Sequence, residues 1–302
     1  LDVKNNATKE IVKVNKQVFL SEEFKNLWEK IKFKTTYSVD FKSETLIKEC
    51  IKNISNRLVV NGGKLSYNKT KLDITEGGVT FNEPKTNYDV VKQEVAALPD
   101  IIGYLQNETR LTRKSIVEIL KGCDNLNFFK INPQKYIEGC IDIINEQMRL
   151  HIVDGIVYKK IGDNEFYNQE LFENEELTGY LKSNMIESSK SPFEFTIYDS
   201  NIEKELSKEF EKNNNVKVYA KLPDWFKIET PLGNYNPDWA LIFEDEKKVY
   251  FVAETKDTGT PQVDLSKLSG DEQMKIKCGK AHFSELEHVE YRVVNKVGQL
   301  ID

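Results

Sequence analysis

Residues 224–256 read DWFKIETPLGNYNPDWALIFEDEKKVYFVAETK. Two apolar runs, Trp239 to Phe243 and Val249 to Ala253, flank the charged run Glu244 to Lys248, the pattern of a β-hairpin with a five-residue loop. If Phe243 faces Val249, one face reads Trp239, Leu241, Phe243, Val249, Phe251 and Ala253 and is wholly apolar. The other face carries Ala240, Ile242, Tyr250 and Val252, with Asp238, Glu254 and Lys256 at its open end. A hairpin apolar on both faces is a buried one, with charge only at its rim.

The same register sets Asp238 opposite Glu254. Directly opposed side chains lie about 4.5–5.5 Å apart at Cβ, and two carboxylates at that spacing repel unless something offsets them. A hard divalent cation such as Mg²⁺ does so, taking one or two carboxylates plus phosphate oxygens. Lys256 points to the same side, where it could hold or help deprotonate an attacking water, or offset charge developing on phosphorus. The alternative is a partly solvated hairpin end at which Lys256 only neutralises the two acids.

The 302 residues suffice for one large domain or two ordinary ones. With 43 basic against 49 acidic side chains, any nucleic-acid contact has to come from a local patch. No apolar run approaches the roughly 20 residues of a membrane span, and LDVKNNATKE at the start lacks a signal-peptide layout. Cys50, Cys123, Cys140 and Cys278 form no CxxC pair, as expected of reduced cytosolic thiols. These features predict a cytoplasmic protein with no membrane partner. The initial Leu reads as the start of a fragment.

Upstream, Ser21 to Phe33 predicts an amphipathic helix and Thr36 to Phe41 a strand. A helix follows from Ser43 to about Asn56, then alternating strands from Gly62-Gly63 to Phe81. The stretch from Val90 to Leu105 is helical in pattern but interrupted at Pro99, and Leu111 to Leu120 is a short helix with Thr112 as N-cap. Asp100 to Asn107 and Thr112 to Gly122 resemble a helix-turn-helix, a pattern that helical cores also produce. A long helix runs from Asn132-Pro133 to about His151, where the histidine reads as a helix-end charge or a core residue, and Val153 to Ile161 is a strand. The polar, acidic stretch 164–192 places a domain boundary near Ser188 to Pro192.

Beyond it the pattern gives a helix (Ser200 to Lys212), strands (Val216 to Leu222 and Phe226 to Glu229), a turn at Pro231 to Gly233, the hairpin, a loop, a helix and a last strand (Val289 to Val294). This order predicts an α/β layered core. Glu203, beside Ile202, Leu206 and Phe210, has two readings: with Ser200 it forms a capping box, or it is a third acid at a metal. Pro223-Asp224 followed by Asp245-Glu246-Lys247 is a decoy for the Pro-Asp and Glu-x-Lys pair, because its distal acid falls in the hairpin loop. No GxxxxGK[ST], GxSxG or HExxH occurs. Cys278 and His282 at i, i+4, with His288, leave a zinc site as a minor alternative.

The run KLPDWFKIETPLGNYNPDWALIFEDEKKVYFVAETK, with KIKCGKAHF at 275–283, resembles the C-terminal endonuclease region of the Res subunit of type III restriction enzymes, in the PD-(D/E)XK nuclease superfamily. FLSEEFKNLWEKIKFKTTYSVDF at 19–41 is similar to the region that follows the helicase motor there, and the likeness is weakest from about 58 to 190. The resemblance implies a PD-(D/E)XK domain, a mixed sheet flanked by helices, over 191–302, preceded by a mainly helical α+β coupling region over 1–190. It implies Asp238, Glu254 and Lys256 as the nuclease core, Glu203 as the upstream helix acid, and Asp238, Glu254 and Glu203 at Mg²⁺. The helix bearing Glu272, Lys275 and His282 is then expected beside the site. Thr255 stands between Glu254 and Lys256, and the acid, acid and lysine set is complete.

The expected activity is Mg²⁺-dependent, site-specific hydrolysis of DNA phosphodiester bonds. The expected partners are DNA and a methyltransferase (modification) subunit, which in this family is expected to read the recognition sequence. ATP belongs only to the family's motor, whose phosphate-binding loop this chain lacks. The rival reading is a non-catalytic module that docks motor, methyltransferase and DNA.

Overall fold

The computed structural model describes residues 9–61, 64–68, 72–75, 78–81, 86–90, 98–173, 178–180, 184–244 and 248–300. By contacts the chain divides into two compact units, one made of residues 1–40 with 152–302 and the other of residues 41–151. This partition groups the N-terminal segment with the C-terminal half, across the expected boundary near 190.

The 41–151 unit is built on helices Ser43–Arg57, Ile101–Thr109, Arg113–Gly122 and the start of Pro133–Asp154. Their apolar stripes meet in a core containing Leu46, Cys50, Ile54, Leu105, Ile116, Tyr136 and Ile144. Thr112 caps the third of these helices, its side chain accepting from Ser115 N, as its position before the apolar run predicts. The helix-turn-helix pair thus has its apolar faces turned into this core. Strands Lys64–Asn68 and Thr86–Val90 pair antiparallel, as do Leu72–Thr75 and Gly78–Phe81. Residues 91–97, part of the expected helical stretch before Pro99, lie outside the described residues.

The other unit supplies the elements used below. In chain order they are α1 (Glu22–Ile31), β1 (Thr35–Val39), β2 (Ile156–Lys160), α2 (Asn201–Lys212), β3 (Val216–Lys221), β4 (Trp239–Glu244), β5 (Lys248–Thr255), α3 (Gly270–Glu285) and β6 (Val289–Val294). The central sheet has the order β3-β4-β5-β6 and is mixed: the first two pairs are antiparallel and β5-β6 is parallel. A parallel neighbour needs a crossover, and α3 is that crossover. The fold class is therefore mixed α/β.

Phe243 pairs with Val249 and Trp239 with Ala253. The ladder reaches one step further than the apolar runs, joining Glu244 to Lys248, so the connection is residues 245–247 rather than five residues. Those three, including the distal half of the decoy motif, lie outside the described residues. One hairpin face packs with Leu206 and Phe210 of α2 and with Val294, Val297 and Leu300. On the opposite face Ala240, Ile242 and Val252 are also fully buried. α1 packs against β3 and β4, and α3 against β6 and β2.

One expected strand does not form. Phe226–Glu229 contributes a single bridge, Ile228 to Tyr235. Its neighbours' backbone groups are used otherwise: Asn236 Nδ2 donates to the carbonyls of Pro223 and Phe226, at 3.1 and 2.7 Å. The chain then reverses through Thr230 to Gly233, where Gly233 takes φ 92°, a left-handed conformation that glycine adopts without a Cβ clash.

Candidate active site

The site sits where β4 begins and β5 ends. The Asp238 carbonyl accepts from Leu222 N at 2.8 Å, extending the β3-β4 ladder by one residue and holding Asp238 at the sheet's edge. Asp238 Oδ2 accepts from Thr255 N at 2.6 Å. Thr255 is fixed in turn by Trp239, whose indole Nε1 donates to Thr255 Oγ1 at 2.8 Å. Lys256 N donates to the Val294 carbonyl at 3.1 Å, so the lysine's backbone stays attached to β6 just past the end of β5. Alternation along the strands then sends Glu254 and Lys256 to the face of Ala240 and Val252, where Asp238 also points.

Glu254 is buried at 5% exposure and has two close partners. Lys256 Nζ lies 3.0 Å from Oε1 and the Tyr235 hydroxyl donates to Oε2 at 2.6 Å. Burial, and next the nearby Asp238 charge, push the Glu254 carboxyl up to about 7, against the tyrosine and lysine contacts that favour its ionised form. Asp238 is also raised, first by burial and then by the charge of Glu203, although the Thr255 N–H opposes the shift. Burial pulls Lys256 down, but Glu254, Asp238 and Glu272 outweigh it and hold the ammonium above its ordinary value. Two partly desolvated acids thus share one nearby lysine, and the site is short of positive charge.

A cleft of about 230 Å³ opens over this corner, lined by Tyr235, Asn236, Glu254 and Lys256 and by Glu272 and Lys275 of α3. Lys256 Nζ reaches Glu272 Oε1 at 3.4 Å, and Glu272 belongs to a capping box with Ser269 at the start of α3. α3, the helix expected beside the site, lines the cleft with Glu272 and Lys275. His282, two turns further on, instead lines a separate small cavity with Thr35 of β1.

Glu203 comes from the other face of the sheet. The register pairs Lys221 with Trp239, which puts the lysine on the α2 side, and Lys221 Nζ meets Glu203 Oε2 at 2.7 Å as well as the Asp199 carboxylate. Glu203 also accepts from Ser200 Oγ at 3.2 Å and Asp199 N at 3.1 Å, while Ser200 Oγ accepts from Glu203 N at 3.2 Å. The capping reading is therefore realised in a variant form, with the backbone donor one residue before the N-cap. Its charge still reaches Asp238.

Among the described residues no three His, Cys, Asp or Glu side chains gather as a metal-binding group. The oxygen donors that fit a hard cation are the pair Asp238 and Glu254, an adequate protein share for Mg²⁺, which keeps several waters. The zinc alternative gains no third ligand: Cys278 is buried with its thiol pushed up by desolvation, and His282 Nδ1 is 2.8 Å from Thr35 Oγ1. All four cysteines are free and buried. No helix of the described residues is long and apolar enough to cross a membrane.

Tyr235 and Tyr291 are the site residues that sequence reasoning missed. Tyr235 stands three residues before Asp238, within the quoted run, but Tyr291 is 56 residues further on and reaches Tyr235 only through the parallel β5-β6 pairing. Their hydroxyls are 2.5 Å apart.

Comparison with known families matches residues 189–297 to a family described as an endonuclease domain. That segment contains Glu203, Tyr235, Asp238, Glu254, Lys256, Glu272 and Tyr291, and its similarity to endonuclease domains supports nucleic-acid cleavage as the reaction class. No curated protein and no solved structure matches the chain.

Proposed function

We propose that the corner formed by Asp238, Glu254 and Lys256 is the active site of a Mg²⁺-dependent DNA endonuclease of the PD-(D/E)XK superfamily, part of a type III restriction Res subunit. The observation that carries this reading is the uncompensated charge: Glu254, lining an open cleft, is pushed to about 7 largely by burial and by the neighbouring Asp238 carboxylate. A buried like-charge pair is costly, and a divalent cation removes that cost while creating a use for it.

Asp238 and Glu254 would hold the ion, with Glu203 assisting through its charge from the opposite face. Mg²⁺, when bound, supplies Lewis acidity toward a phosphate oxygen and lowers the pKa of a water. The chain's own part is positional. Thr255 N fixes Asp238, and the buried hairpin holds both acids in one register. Lys256, kept protonated by its carboxylate neighbours, is suited to orient the attacking water and to offset charge developing on phosphorus, and is poorly suited to serve as a base. Water oxygen attacks phosphorus in line and passes a proton to bulk water, the opposite P–O bond breaks, and the departing oxygen takes a proton from bulk water. Lys275 at the cleft rim is placed to meet a phosphate. DNA is the substrate in this reading, a modification methyltransferase the partner that reads the recognition sequence, and residues 1–190 the coupling region that follows the motor.

The test is cleavage of plasmid DNA by the full-length enzyme with Mg²⁺, comparing wild type with Asp238→Ala and Lys256→Ala. Both variants should lose cutting by about 10²- to 10³-fold or more. Cutting retained by both would sink the proposal.

A further inference from the structure

Glu254 is not held by the sheet alone. The Tyr235 hydroxyl donates its only proton to Glu254 Oε2 at 2.6 Å, so the 2.5 Å contact between the two tyrosine oxygens needs the Tyr291 hydroxyl as donor. The result is a directed chain, Tyr291 to Tyr235 to Glu254, that ends on the carboxylate.

The space for this chain comes from α3. A Cβ at Gly279 would stand 2.6 Å from Tyr235 Cε1 and 3.2 Å from two ring atoms of Tyr291, so only glycine lets the helix pass over both rings. Phe283, one turn on in the same helix, lies parallel to the Tyr291 ring at a 6° interplanar angle and a centroid distance of 5.8 Å. Ring positions, hydroxyl direction and helix approach thus agree, and all converge on one carboxylate oxygen.

Resting on the nuclease reading above, we infer that Tyr235, backed by Tyr291 and seated under Gly279, is the positioning residue that aims Glu254 at the divalent ion. The tyrosine reaches the ion only through Glu254, so it is not itself a ligand. Outer partners of metal ligands change metal affinity by about 10- to 100-fold when removed. Tyr235→Phe removes one oxygen and keeps the ring, which separates this role from packing.

The experiment is a calorimetric titration of the full chain with Mn²⁺ at fixed pH, with a thermal melt of each metal-free variant. Wild type should bind, Asp238→Asn should not, and Tyr235→Phe should bind about 10- to 100-fold more weakly. Tyr291→Phe should show a smaller loss in the same direction. Gly279→Ala should weaken binding and also lower the melting temperature, since both rings must shift. If Tyr235→Phe binds as wild type does while Asp238→Asn fails, the positioning role is overturned and the metal site stands. If wild type shows no binding, the metal reading fails and takes the inference with it.

Discussion

At the open end of the sheet two lysines each meet a buried glutamate, one pair on each face, and the pairs differ in what they leave uncompensated. Lys221 and Glu203 form a closed group: Ser200 and the Asp199 N–H add donors to Glu203, and the second acid, Asp199, has 73% of its side chain in solvent. Lys256 and Glu254 form an open one. The further acid there, Asp238, is itself pushed up by burial, and Lys256 is also drawn toward Glu272. A similar local pairing thus gives a structural latch in one place and, in the proposed reading, a cation site in the other. What decides is whether the surplus carboxylate reaches water.

The largest expected difference is in chemistry. Glu254→Gln should lower DNA cleavage and divalent-ion affinity by about 10²-fold or more, whereas Glu203→Gln, whose oxygens are already spent on Lys221 and the α2 cap, should cost about tenfold or less. Equal losses in a cleavage assay would erase the distinction between the faces.

Stability should separate them the other way. Lys221→Met leaves two acids without their cation and should destabilise by about 2–3 kcal/mol, below the range for a fully buried pair because a quarter of the Lys221 side chain is exposed. Lys256→Met should also destabilise in metal-free buffer, but Mg²⁺ should recover that loss and leave Lys221→Met unchanged. Denaturant melts with and without Mg²⁺ read both.

The last effect is one of pH, and it sets where the comparison is fair. Burial holds His282 down at about 3, against an ordinary value of 6.5, with Nδ1 at Thr35 and Nε2 unpartnered among the described residues. A histidine lowered on folding favours the native state fully above pH 6.5. That contribution is lost as pH falls from 6.5 toward 3, where the unfolded chain takes up the proton first. Part of the acid-side loss in the wild-type melting temperature should therefore be missing in His282→Gln.

Much of this was legible in the sequence because short-range rules govern it. Apolar alternation gave the register that pairs Phe243 with Val249, and Ser21, Thr112 and Ser200 mark helix starts that the chain uses as N-caps. The α/β order followed from the same periodicities. What stayed hidden depends on partners distant in sequence or on competing local bonds. Tyr291 reaches the site through a parallel pairing across a whole helix, and Lys221 closes on Glu203 across 18 positions. Phe226–Glu229 has strand composition, but the Asn236 side chain takes the carbonyls of Pro223 and Phe226. That residues 1–40 group with 152–302 is likewise a matter of tertiary contacts that no local pattern carries.

The account turns on whether Asp238 and Glu254 await a cation. Its most direct measurement is the melting temperature of the chain at pH 8, with and without Mg²⁺ at about ten times its Kd, in wild type and in Asp238→Asn. Wild type should gain about 2–4 °C from the ion and the variant none, its own metal-free melting temperature being the higher of the two because one of two like charges is gone. No gain in wild type, or the same gain in both, would contradict the account.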